Sequence, residues 1–122
     1  MYAFYEGEPV LVYKLEMLDS EAPKAKRVCR LERRNYEFNL AVDEGRSVYF
    51  TGGTALREAQ KPTLVFDIET EEFEEAADMN IQRYKHGSIV IAGRLYVFGG
   101  WIADKVSTCT IEMLPSRFAT EW

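Results

Sequence analysis

Chemistry in this chain would have to begin at Asp67 and Glu69, two carboxylates one residue apart after the apolar run Leu64-Val65-Phe66. Two acids alternating at a strand end can hold a divalent cation. A two-metal nuclease site, however, gathers several carboxylates from separate motifs. The residues past Thr70 contain the aspartates Asp78 and Asp104 but no run like a second or third nuclease motif, and the position five after His86 is Ile91 rather than an acid. The alternating strand and helix pattern of such nucleases is missing as well. The preferred reading is that Asp67 opens a turn, where a short acid bonds to nearby backbone amides.

His86 is the sole histidine, and Cys29 and Cys109 stand far apart without motif spacing. One histidine with two distant cysteines is not a zinc set. No Gly-x-Ser-x-Gly elbow is present to make it part of a nucleophilic triad. A packed or hydrogen-bonded histidine is expected, with both cysteines as reduced thiols. The acids Glu69, Glu71, Glu72, Glu74, Glu75 and Asp78 surround Phe73. They read as a solvated edge that discourages strand-to-strand aggregation, with a docking patch for a basic partner as the alternative. No catalytic residue, metal site or cofactor is assigned.

The bulk properties narrow the classes further. The chain has 122 residues, 47% of them apolar, and a formal net charge of -5. That is one ordinary domain with a modest core. An acidic chain disfavours nucleic acid held by a broad basic surface. No apolar window approaches the ~18 residues of a membrane span. Residues 1–8 lack the basic start and apolar run of a secretory signal. A cytoplasmic protein is expected, with neither membrane nor nucleic acid as partner.

Strand periodicity must position everything else. Tyr36, Phe38, Leu40 and Val42 alternate with Glu37, Asn39, Ala41 and Asp43, the period-two pattern of a half-buried strand. Residues 43–46 read as a turn, 48–50 as a strand closed by Gly52-Gly53, and 54–62 as a loop. Strands at 64–68 and 73–76 follow. The order then repeats. Residues 88–92 read as a strand buried on both faces, 95–98 as a strand closed by Gly99-Gly100, and 108–113 and 118–122 as two more strands. No helical pattern of useful length occurs from residue 30 onward.

The repetition is visible in the letters. "GRSVYFTGG" at 45–53 stands against "GRLYVFGG" at 93–100, and the glycine pairs lie 47 positions apart. A period of this size marks the four-stranded antiparallel blades of a propeller.

These residues resemble the kelch family. The opening Met79-Asn-Ile-Gln-Arg83-Tyr-Lys-His86-Gly87 is similar to the start of a kelch repeat, and Gly99-Gly100 to its glycine pair. In the preceding copy the pair is Gly52-Gly53, with Phe66 and Phe73 at the aromatic positions of strands three and four and Arg34 as counterpart of Arg83. In the last copy Ile111 and Phe118 keep the same offset. Glycines end strand two where a side chain would clash or need positive φ. The aromatics meet on neighbouring strands and fill the wedge between blades. The arginine can satisfy carbonyls or an acid. Pro9-Val-Leu-Val-Tyr13 echoes Pro62-Thr-Leu-Val-Phe66, which makes Tyr13 a strand-three residue, 20–27 a turn and 27–31 a strand four. Ser20 stands where the tryptophan position would be.

The resemblance implies an all-β chain of antiparallel blades from a partial kelch-type β-propeller. Residues 1–32 form a degenerate half blade, 33–78 one repeat and 79–122 another. A closed propeller has roughly four to eight blades. Two and a half blades imply a piece of a larger propeller, self-association to complete a ring, or a smaller stack of twisted sheets. The family implies a non-catalytic scaffold that presents loops 54–62, 79–86 and 101–107 to a protein partner. Arg57, Tyr84 and Trp101 are the candidate contact residues. A copper oxidase of kelch type needs a tyrosine and histidine set that one histidine does not supply. No BTB or F-box segment is recognisable in residues 1–29.

Overall fold

Fourteen strands and no helix make up the described part of the chain, residues 2–5, 10–16, 24–31 and 37–122 of a computed structural model. Two units separate, 1–34 and 35–122, and each is taken by itself. Arg34 and Tyr36, Pro9, Ser20 and the boundary at 32–33 lie outside the described residues.

In the first unit, β1 (Tyr2–Tyr5), β2 (Val10–Glu16) and β3 (Lys24–Leu31) form an antiparallel sheet in that order. Tyr13 lies in β2, next to a register shift that follows Val12. Val12 is buried. The turn expected at 20–27 is shorter, because residues 24–27 already pair with 13–16 and extend β3.

The second unit opens with a four-stranded meander of β4 (Asn39–Asp43), β5 (Ser47–Thr51), β8 (Thr63–Asp67) and β9 (Glu72–Ala76). Two short strands, β6 (Thr54–Ala55) and β7 (Glu58–Ala59), make a hairpin inside the expected 54–62 loop. Its tip, Leu56-Arg57, has positive φ at both residues. That is the primed turn a two-residue hairpin requires, here without the glycine or asparagine that usually marks it.

Side chains alternate across this blade. Ala41, Tyr49 and Val65 are opposite one another on one face, while Leu40, Val42, Val48, Phe50, Phe66 and Phe73 share the other. Phe66 and Phe73 are direct cross-strand partners with ring centroids 5.2 Å apart, and Phe50 stands edge-on to Phe73 at 5.3 Å.

The second blade has three strands: β10 (Gly87–Ile91), β11 (Arg94–Phe98) and β14 (Ile111–Leu114), antiparallel in that order. Between β11 and β14 lies another small hairpin, β12 (Trp101–Ala103) with β13 (Val106–Ser107). Leu95 and Leu114 face back onto Ala41, Tyr49 and Val65 and form the core between the blades. Fully burying an aliphatic side chain of this size contributes about 1.5–3 kcal/mol. The opposite face carries Ile89, Ile91, Phe98 and Ile111, all exposed. The strand at 87–91 is therefore buried on one face, not two. The reason is that no described residue of the second unit covers its far side.

The strand expected at 118–122 does not form. Pro115 follows β14 directly and cannot donate to a ladder. The chain instead turns, with Phe118 N donating to Ser116 Oγ and Ala119 N to Ser116 O. It runs back toward the first blade, where Ala119 and Trp122 pack on the shared core and Trp122 Nε1 donates to Ala77 O at 2.7 Å. Phe118 is 76% exposed and lies outside any strand, so it does not fill a wedge between blades.

The register explains the misplacement. Aligning the glycine pairs matches Val48 to Leu95. Val48 pairs with Phe66 and Leu95 with Leu114. Leu114, rather than Ile111, occupies the place of Phe66.

Candidate protein-interaction surface

Both glycine pairs open at one end of the blades, and the 79–86 segment is laid across them. Gly53 N donates to Arg83 O at 2.9 Å, Arg83 N to Gln60 O at 3.0 Å, and Met79 N to Lys61 O at 3.0 Å. Tyr84 and Trp101 exchange both backbone hydrogen bonds, at 3.0 and 2.9 Å. The approach is too close for a side chain on Gly52 or Gly100. A Cβ on Gly52, at φ +60, would lie 2.2 Å from Arg83 O, and one on Gly100, at φ +89, 2.7 Å from Tyr84 O. The bare backbone at Gly52 and Gly100 is what lets the connecting loop seat.

Arg83 is the pin of this arrangement. It is 0% exposed. Its Nη1 donates to Gly99 O at 2.8 Å and Thr110 O at 3.3 Å; its Nη2 donates to Thr110 Oγ1 at 3.0 Å and Glu112 Oε2 at 2.7 Å. Glu112 in turn accepts the amides of Asn80 and Ile81. A guanidinium can span these acceptors because its donors form a planar fork, and buried ionic groups persist only when so satisfied.

His86 is buried one turn further along. Its Nε2 shares a 2.7 Å hydrogen bond with Thr51 Oγ1 of the first blade, and its carbonyl accepts from Asn39 Nδ2. Burial, with the Arg83 charge adding, pushes its pKa down to about 4. It stays neutral at physiological pH.

Of the three candidate contact residues, Tyr84 and Trp101 pair at this end, and Arg57 lies on the neighbouring hairpin. Trp101, 39% exposed, bridges to Tyr84. The Lys85 ammonium lies 5.9 Å from the Tyr84 ring centroid and 3.1 Å from Glu37 Oε1. Arg57 stands at the tip of the β6–β7 hairpin beside Leu56, and β7 lies against β12. Loops 54–62, 79–86 and 101–107 thus form one continuous surface. The sequence carried no signal for Thr51, Asn39 or Glu112 as supports. Their partners lie many residues away and are reached only through the fold.

Asp67 lies at the opposite end. Its Oδ1 accepts the amides of Glu69 and Thr70, at 2.8 and 3.1 Å, and its Oδ2 pairs with Arg117 at 2.5 Å. The Arg117 hydrogen bond, then the Thr70 amide, holds this carboxyl below its ordinary range against a smaller opposing effect of burial. Both oxygens are committed to the turn and to the ion pair.

Residues 82–114, from the end of the connecting loop through β14, match the model of the Kelch motif. Kelch-like protein 25 of Rattus norvegicus is 33% identical over 95 residues, and that of Xenopus laevis 34% identical over 98 residues. These alignments cover 77% and 80% of this chain and 16% of each relative.

The chain belongs to the kelch-repeat family.

Its antiparallel meanders are kelch blades, all-β as the repeated letters imply. The Kelch motif match begins just before Arg83 and takes in His86 and Gly99-Gly100, the residues that join one kelch blade to the next. The chain spans about a sixth of the length of the relatives it matches. No helix among the described residues is long and apolar enough to cross a membrane.

Proposed function

We propose that the chain is a non-catalytic protein–protein interaction module that presents its glycine-pair end to a protein partner. The observation that carries this is the joining of loops 54–62, 79–86 and 101–107 into one surface, supported from below by buried Arg83 and His86. Rigid support lowers the entropy lost when loops bind. Trp101, Tyr84 and Arg57 are of the types that anchor interfaces, and Leu56 projects beside Arg57 almost fully exposed. Single alanine substitutions at Arg57, Tyr84 and Trp101 test the reading by pull-down and titration against the captured partner. At least one should weaken binding about tenfold with the circular dichroism spectrum unchanged. Equal binding by all three variants would remove the surface from consideration.

A second reading concerns the assembly. The exposed face of Ile89, Ile91, Phe98 and Ile111 has the makeup of a blade-to-blade face, and the relatives are several times longer. The chain then serves as part of a larger kelch propeller, of the kind that acts as a ubiquitin-ligase substrate receptor or a cytoskeletal scaffold, with a further blade on that face. Self-association is the other way to cover it. Light scattering separates the two: a 14.1 kDa monomer contradicts self-association, and a ring-sized particle supports it.

A further inference from the structure

At the turn end, away from the glycine pairs, the blades and the 116–118 segment enclose a cleft of about 550 Å³. That is within the size range of ligand sites, roughly 300–1,000 Å³. Tyr49 lines it from the inter-blade core and is only 2% exposed. Its hydroxyl makes no hydrogen bond to the described residues and is not among the fully buried unsatisfied atoms, so it is open to the cleft. Burial raises the pKa of this phenol, and Asp43 adds to the effect.

The charges around the cleft decide what it can accept. Arg117 and Asp67 neutralise each other. Asp43 and Glu69 remain against Arg46 alone, and the acids at 71–75 lie next in sequence. At the rim the Phe118 ring is already covered by the Arg117 guanidinium, 4.7 Å from its centroid. An anion would meet surplus carboxylate, whereas a cation would meet a carboxylate and a phenol oxygen.

We propose that this inter-blade cleft binds the cationic side chain of a protein partner, an arginine or a lysine, with Asp43 and the Tyr49 hydroxyl accepting its N–H groups. The site is at the other end of the blades from the loop surface and does not depend on it. The test is an amide NMR titration with acetyl-Gly-Arg-Gly-amide and, separately, acetyl-Gly-Glu-Gly-amide. The arginine peptide should give saturable shifts confined to residues around 43–49, 67–69 and 116–118, with millimolar affinity, and the glutamate peptide none. Tyr49→Phe, which keeps the ring in the core, and Asp43→Asn should each weaken binding at least fivefold; Cys109→Ser should leave it unchanged. Absence of saturation, equal binding of the glutamate peptide, or wild-type affinity in both folded variants would overturn the proposal. If a variant does not fold, the arginine-against-glutamate comparison on the unsubstituted chain still decides it.

Discussion

Replacing Arg83 by methionine should remove much of the stability of the second unit. The side chain is fully buried and donates to Gly99 O, Thr110 O, Thr110 Oγ1 and Glu112. Methionine fills most of the volume but leaves Glu112, itself 8% exposed at its side chain, as a buried carboxylate held by two backbone amides. Breaking a buried ion pair from one side costs about 3–5 kcal/mol, against a total of about 5–15 kcal/mol for a domain. With a urea slope of about 2 kcal/mol per molar, a loss of about 4 kcal/mol lowers the unfolding midpoint by about 2 M. Arg83→Lys should recover less than half, since one ammonium cannot reach both Gly99 O and Glu112. Pairing Arg83→Met with Glu112→Leu should return part of the loss by removing the stranded charge. The reasoning is refuted if Arg83→Met costs less than about 1 kcal/mol in urea unfolding followed by circular dichroism.

Other perturbations separate the remaining parts of the account. Gly52→Ala meets both positive φ and a backbone oxygen 2.2 Å away, whereas Gly45→Ala meets positive φ in open space. The second should cost about 1–2 kcal/mol and the first clearly more, by thermal or urea unfolding. Because the His86 pKa falls from 6.5 to about 4 on folding, the unfolded chain takes up the proton first as pH drops. Its contribution is intact above pH 6.5, shrinks down to pH 4 and is spent below that, a loss of about 3 kcal/mol at about 1.4 kcal/mol per tenfold. His86→Gln should flatten the stability profile in that window, and an unchanged slope would contradict the assignment. In Arg117→Ala the Asp67 carboxyl loses the leading cause of its lowered pKa, so its NMR titration should move to higher pH.

The strands at 47–51, 63–67 and 94–98 are legible in the letters because two-residue alternation and glycine pairs are local signals. The small hairpins at 54–59 and 101–107 are not. Their tips, Leu56-Arg57 and Asp104-Lys105, lack the Asn-Gly or Asp-Gly signature, and they form because the neighbouring 79–86 loop fixes their ends. Residues 118–122 show the limit in the other direction. Their strand-like composition is overridden by Pro115, by the Arg117 ion pair and by Trp122 seating on the core. Counting on the letters from Ile111 reaches Phe118, but the ladder places Leu114, three residues later, opposite Leu95. At the loop surface the repeat marks Arg83 and His86. Glu112, Thr51 and Asn39 become visible as supports only when the blades are packed. Asp67 and Glu69, the most chemical-looking pair in the chain, prove to be a turn acid clamped by Arg117 and an exposed neighbour.

The central claim is that one end of the blades meets a protein. Site-specific photocrosslinking reads this directly, with a benzophenone side chain placed in turn at positions 57, 84, 101 and, at the opposite end, 71. The account predicts that the first three positions yield the same covalent partner and that position 71 does not. The same adduct from position 71, or none from 57, 84 and 101, would contradict it.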